Sequence, residues 1–147
     1  MPGGAVETAP GVYYPGRYNF DLTYRGAGSY YSFNSGLVHF ICLNTYHTTG
    51  DDQKIFLEND LKKIDRSVTP WVFVFMHGPM YHTNEAHQNE VATNDLRDWA
   101  EPLMLQYKVD ACFAGHVHAY ERSYGVKYGE LDEENGIVYV VAGGAFN

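Results

Sequence analysis

Apolar and polar positions along the chain fall into runs that predict alternating strands and helices. Residues 29–33 and 37–43 flank Asn34, Ser35 and Gly36, a β-hairpin pattern with Gly36 at the left-handed turn position. The second run is mostly apolar and so interior, and His39 within it is expected to be packed and hydrogen-bonded rather than a ligand. Over 51–65, Leu57, Leu61 and Ile64 share one helical face. Thr49 with Asp52 fits a capping box, and Lys62, Lys63 and Arg66 suit the helix's carboxyl end. The acids Asp51, Asp52, Glu58 and Asp60 are expected to face solvent. Residues 71–76 (WVFVFM) then predict a buried strand, which makes strand, helix and strand a parallel crossover.

A second helix is predicted over 91–107, where Leu96, Trp99, Leu103 and Tyr107 trace one face. Pro102 interrupts it, and an interior proline costs about 3 kcal/mol, so a kink or two shorter segments are expected. Residues 111–114 and 137–142 are further core strands, 124–127 an extended piece and 129–136 an acidic turn. Residues 1–28, rich in Pro, Gly and Tyr without a period, form an irregular arm.

Composition narrows the picture. The 147 residues match one ordinary domain, with a formal charge of −8 and no basic cluster, which argues against nucleic acid or an anionic membrane surface as partner. No basic and apolar leader opens the chain, and its longest apolar runs fall far short of a membrane span. Cys42 and Cys112 each sit in an apolar run as small hydrophobes; a bridge between them requires neighbouring strands.

The candidate chemistry lies where strands end. The 111–114 run stops at Gly115 and is followed by His116 and His118. On an extended backbone that spacing points both rings to one side, with Cα atoms about 6–7 Å apart. Gly115 permits a close backbone approach or a positive φ there. The 71–76 run ends in His77. Two such endings on adjacent parallel strands place three imidazoles around one crevice, where α/β sheets hold their sites. The rings suit metal ions, and hydrolytic metal pairs sit roughly 3.5–4 Å apart.

The run from Gly115 through Tyr120, Glu121 and Arg122 to Ser123 resembles the last metal motif of purple acid phosphatases, within the calcineurin-like metallophosphoesterases. Val74 to His77, with Gly78, Pro79 and Tyr81, is similar to the preceding motif, and the likeness covers about residues 29–144. It implies an α/β fold: a partial metallophosphoesterase β-sandwich flanked by helices, the carboxyl-terminal half of a four-layer αββα domain. It also implies hydrolysis of small phosphate monoesters at a dinuclear centre of Fe3+ with Zn2+, Mn2+ or Fe2+. By this likeness His77 and His116 hold the divalent ion and His118 the ferric one. His87 binds phosphate and assists the leaving group, with Ala86 where the family has a second histidine. His82 and Asn84 are further substrate-binding candidates. Gly115, Tyr120, Glu121 and Arg122 are structural support, Glu121 and Arg122 by bracing the corner through buried hydrogen bonds.

The family's three earlier motifs, which supply aspartate, tyrosine and asparagine ligands, do not occur before residue 29. The chain is therefore expected to comprise an arm (1–28) and a partial catalytic domain (29–147) without its amino-terminal half, holding at most one divalent ion and inactive alone. Phosphodiester hydrolysis and a non-catalytic binding or assembly role are the alternatives. For the intact protein the likeness leaves a homodimer open and implies secretion or a vacuolar or lysosomal compartment.

Overall fold

A computed structural model describes residues 29–47 and 50–144. The arm over 1–28 and Thr49 of the expected capping box lie outside the described residues. Among the described residues, seven strands form one mixed sheet in the order β1-β2-β3-β4-β7-β5-β6. The hairpin is β1 (Tyr31–Ser35) and β2 (Val38–Cys42), closed by a turn in which Gly36 has φ 57°. Parallel crossovers through α1 (Asp52–Leu61) and α2 (Val91–Gln106) deliver β3 (Trp71–Met76) and then β4 (Ala111–Ala114). The sheet is completed by β5 (Tyr120–Lys127), the two-residue β6 (Glu130–Leu131) and β7 (Ile137–Ala142), with β7 parallel to β4 and antiparallel to β5.

Alternation along the strands separates two faces. Ile41, Val72, Val74, Met76 and Cys112 pack under Leu57 and Leu61 of α1 and Leu96, Ala100 and Met104 of α2. Phe33, Phe40, Phe73, Phe75 and Phe113 lie on the other face, half-buried, in ring contact across four strands; Phe75 and Phe113 stack at 4.9 Å. β3 lies between the strands that carry Cys42 and Cys112, and both thiols are free. Among the described residues, no helix is long and apolar enough to cross a membrane.

Three expectations change. The helix over 91–106 runs unbroken through Pro102, which sits exposed while Leu96, Ala100 and Met104 anchor the opposite side. Its buried stripe also includes Thr93 and Glu101, whereas Trp99, Leu103 and Tyr107 are only half-buried. Asp60 is not a solvent-facing acid: it is 8% exposed and accepts from Ser32 (2.7 Å) and from the His39 imidazole (2.8 Å). That pairing satisfies His39, which is packed and hydrogen-bonded as its place in an interior strand requires.

Opposite the strand ends that carry the histidines, Arg66 staples the loops together. Its guanidinium donates to Asp110 (2.7 Å) and to the carbonyls of Pro70, Tyr107 and Lys108, while Asp110 also accepts from the Val72 amide. Replacing Arg66 with Ala strands these acceptors near the start of β3, and urea titration should show a loss of about 1–3 kcal/mol. A second prediction concerns Asp52, whose carboxyl is held below its usual range by a hydrogen bond from His47, with Tyr30 adding a weaker one. A depressed folded pKa contributes stability above the unfolded carboxylate's range, and that contribution is lost as pH falls through the lowered value. The urea midpoint of Asp52→Asn should therefore differ from that of the wild type near neutrality and converge with it in strong acid.

Candidate metal centre

The site is assembled by strand register. β3 and β4 pair in parallel with Met76 opposite Ala114, and the ladder runs one step further, from the Gly115 amide to the His77 carbonyl (3.0 Å). The next side chains on each strand are then the polar ones. The end of β2 joins them: the Gly78 amide donates to buried Thr45 (2.9 Å), and Gln53 grips the backbone of Asn44 from both sides. Tyr46, half exposed, lays its ring 5.9 Å from that of His77. Burial and the nearby Glu90 carboxylate push its phenol above its ordinary range.

The left-handed step falls on His116, with φ 62°, while Gly115 keeps an ordinary φ. A side chain in that conformation costs about 1 kcal/mol or more, and the surrounding structure must hold it. Here the chain folds back on itself through short bonds from Val117 to Gly115 and from Ala119 to Val117. Gly143, following β7, is pressed against this corner so closely that an added Cβ would lie 2.0 Å from the Val117 carbonyl oxygen. The close approach therefore belongs to Gly143.

This turn aims His116 at His77. Their nitrogens, Nδ1 of His116 and Nε2 of His77, lie 3.2 Å apart. Two imidazoles on one tetrahedral zinc place their nitrogens roughly 3.3–3.4 Å apart, from bonds of about 2.0–2.1 Å, so the pair fits a shared divalent ion. The other His116 nitrogen, Nε2, meets Glu90 Oε1 at 2.9 Å, and His87 Nδ1 meets the same oxygen at 2.8 Å. Those two bonds, from His116 and then His87, hold the Glu90 carboxyl below its usual range. A carboxylate accepting from the far nitrogen of a ligand histidine fixes its tautomer and raises its basicity. His87, Glu90 and His116 alone also form a three-ligand cluster. Orienting His116 is the better role for Glu90, because Nδ1, the nitrogen that faces His77, is then left free to accept a ligand.

The remaining candidates separate. His118 is exposed and joins no ligand cluster among the described residues, because the turn at His116 breaks the extended geometry that would align the two rings. Asn84 accepts from the Ala86 amide and caps the short 3-10 turn Glu85–His87, so its oxygen is engaged locally. His82 lies beside His87 in the wall of a small cavity. Glu121 does brace the loop, accepting from the Thr83 amide and hydroxyl, although at the surface. Arg122 is exposed instead of buried, and so is Tyr120, because that stretch of β5 has β7 on one side and, among the described residues, no strand on the other. Glu90 and Tyr46 are additions to the expected set. The spacing of His87 and Glu90 was a usable signal for Glu90; Tyr46 carried none.

A family model described as Calcineurin-like phosphoesterase matches residues 8–120. That match begins before residue 29, where the motif likeness starts. Probable purple acid phosphatase 20 of Arabidopsis thaliana is 42% identical over 146 residues, covering 97% of this chain and 34% of the relative. Phosphoenolpyruvate phosphatase of Allium cepa is 43% identical over 99 residues, covering 66% of the chain and 20% of the relative. The chain thus spans about a third or less of the relatives it matches. Among solved structures, purple acid phosphatase PPD1 from yellow lupin seeds superposes with a TM-score of 0.66 at 27% identity, over 78% of this chain and 23% of that one. GAP50, the anchor in the inner membrane complex of Plasmodium, shares the fold at 13% identity, with a TM-score of 0.57 over 76% and 36%.

If Glu90 orients His116, then Glu90→Gln should weaken zinc binding about 10- to 100-fold, the usual cost of losing such a support. Competition titration against a chromophoric chelator measures this. An unchanged affinity would assign Glu90 to His87 alone.

Proposed function

On the premise that the chain belongs to the calcineurin-like phosphoesterase family, we propose that its histidine corner serves metal-dependent hydrolysis of phosphate monoesters. The approach of His77 Nε2 to His116 Nδ1, with Glu90 behind it, carries this reading. His77 and His116 would hold a divalent ion and His118, by family likeness, the ferric one. When bound, such ions neutralise phosphate oxygens and activate water.

The chain's own residues would do the rest. Glu90 draws the Nδ1 proton of His87 toward itself. The imidazolium form of His87 then carries its second proton on Nε2, available for the departing alkoxide. Tyr46 stands beside His77 on one side of the crevice. Within the described residues the ion meets two neutral nitrogens and no carboxylate of its own, so the 147 residues alone would hold one divalent ion and turn over substrate negligibly. The same reading places the intact protein in a secreted or vacuolar compartment.

Grafting tests the proposal. The chain should replace the matching segment of the Arabidopsis relative and retain turnover of p-nitrophenyl phosphate. His116→Ala within the graft should lower kcat/KM by at least about 100-fold, in the range seen when one catalytic group is lost. A folded, metal-loaded graft without turnover would sink the assignment. Metal-dependent turnover by the 147 residues alone, abolished by His116→Ala, would overturn the expected inactivity while leaving the assignment intact.

A further inference from the structure

Tyr46 is the residue at the corner that the hydrolytic reading leaves without a role. Its ring begins a row of rings in contact: Tyr46 to His77 at 5.9 Å, His77 to His116 at 5.0 Å and His116 to His87 at 4.6 Å between centres. His77 and His116 are the middle of that row. A group bound over them is therefore flanked by Tyr46 at one end and His87 at the other.

An aromatic side chain 52% exposed is ordinary on a surface, but this one stands on a buried frame. Asn44 Oδ1 accepts from the Tyr46 amide (2.9 Å). Asn44 is held in turn by Gln53, 1% exposed, which accepts from its amide (2.7 Å) and donates to its carbonyl (3.1 Å). Between them, buried Thr45 accepts from the amide of Gly78, the residue after His77. The backbone of Tyr46 is thus tied both to α1 and to the end of β3. A firm frame beneath an exposed ring places that ring for contact, as sites on loops require. The tip of the ring is a neutral donor. Burial, and then the charge of Glu90, raise the phenol above its ordinary range, so it keeps its proton. Glu90 is bonded to His116 and His87, and the phenol that senses its charge shares their crevice. Among the described residues no hydrogen bond engages the Tyr46 hydroxyl, which leaves its O–H to donate.

We propose that Tyr46 is a substrate-contacting residue whose hydroxyl donates a hydrogen bond to a non-bridging oxygen of the phosphate group. With His87 serving the departing oxygen at one end of the row, the oxygens that stay on phosphorus face the other end. The assignment rests on the hydrolytic reading and sharpens its substrate class. A donor gains more from a more strongly charged acceptor, so this contact favours the doubly charged phosphate of a monoester over the singly charged phosphate of a diester.

The test is calorimetric titration of the 147-residue chain, loaded with one equivalent of zinc, with inorganic phosphate. Tyr46→Phe keeps the ring against His77 and removes only the hydroxyl. It should weaken phosphate binding about tenfold, the worth of one charge-assisted bond. In the wild type labelled with carbon-13 at the tyrosine ζ-carbon, the resonance missing from Tyr46→Phe should shift saturably as phosphate is added. Equal affinity in wild type and Tyr46→Phe, no phosphate binding at all, or a loss seen in Tyr46→Leu but not in Tyr46→Phe overturns the contact. Its failure is separable from failure of the hydrolytic reading. A graft that turns over p-nitrophenyl phosphate, beside a Tyr46→Phe chain with undiminished phosphate affinity, removes Tyr46 and leaves the reading in place. A graft without turnover, beside a tenfold loss in Tyr46→Phe, does the reverse.

Discussion

The structure depends on the parallel pairing of β3 with β4, Met76 opposite Ala114. That register is held by burial. Val72, Val74 and Met76 point under the helices, and a slip of one residue would turn all three to the opposite face. Each buried valine is worth about 1.5–3 kcal/mol against exposure, so the slipped sheet is prohibitive. The same register brings His77 level with Gly115 and allows His116 to fold back onto it. Core packing, rather than any affinity between imidazoles, therefore sets the geometry that a metal would find.

Two glutamates then divide the work of fixing the loop over 77–90. Glu101, 3% exposed, accepts from the Tyr81 hydroxyl (2.8 Å), the Tyr139 hydroxyl (3.3 Å) and the Tyr128 amide (3.1 Å). Three donors are what a buried carboxylate needs to offset its lost hydration. In return, burial and the charge of Glu101 push both phenols well above their ordinary range, so they stay donors. This pins the loop near its start, at Tyr81. Glu90 pins its end, where the partners are the imidazoles of His87 and His116. A loop held at both ends by carboxylates can present His82 and His87 with only the short 3-10 turn Glu85–His87 between them.

Much of this was legible in the residue pattern because strands and crossovers are written in local periodicity. The runs over 71–76 and 111–114, each closing on a polar residue, were enough to place His77 beside His116. What local pattern could not show was the turn at the corner. The spacing of His116 and His118 suggested one extended side, but His116 has a left-handed φ, in a corner where Gly143 is pressed against Val117, so the backbone there is not extended. Asp60 was hidden for a related reason. Its helical position resembles that of its solvated neighbours, and only pairing with His39 and Ser32, 21 and 28 residues away, makes it a buried acid. At Pro102 the helix continues as one segment rather than two, with Leu96, Ala100 and Met104 buried along it.

Electrostatics bounds what the corner can do by itself. A divalent ion between His77 and His116 would gain two neutral ligands, and among the described residues the carboxylate beside them, Glu90, is already committed to the far nitrogen of His116. Moving Glu90 into direct ligation would release His87 from its orientation and free the ring of His116. Charge compensation and proton delivery thus compete for one oxygen. The conflict is relieved only if other carboxylates neutralise the ion, as the aspartate ligands of the resembled family do. On the proposed reading Glu90 remains a support for His116 and His87, through the hydrogen bonds that both imidazoles make to its Oε1.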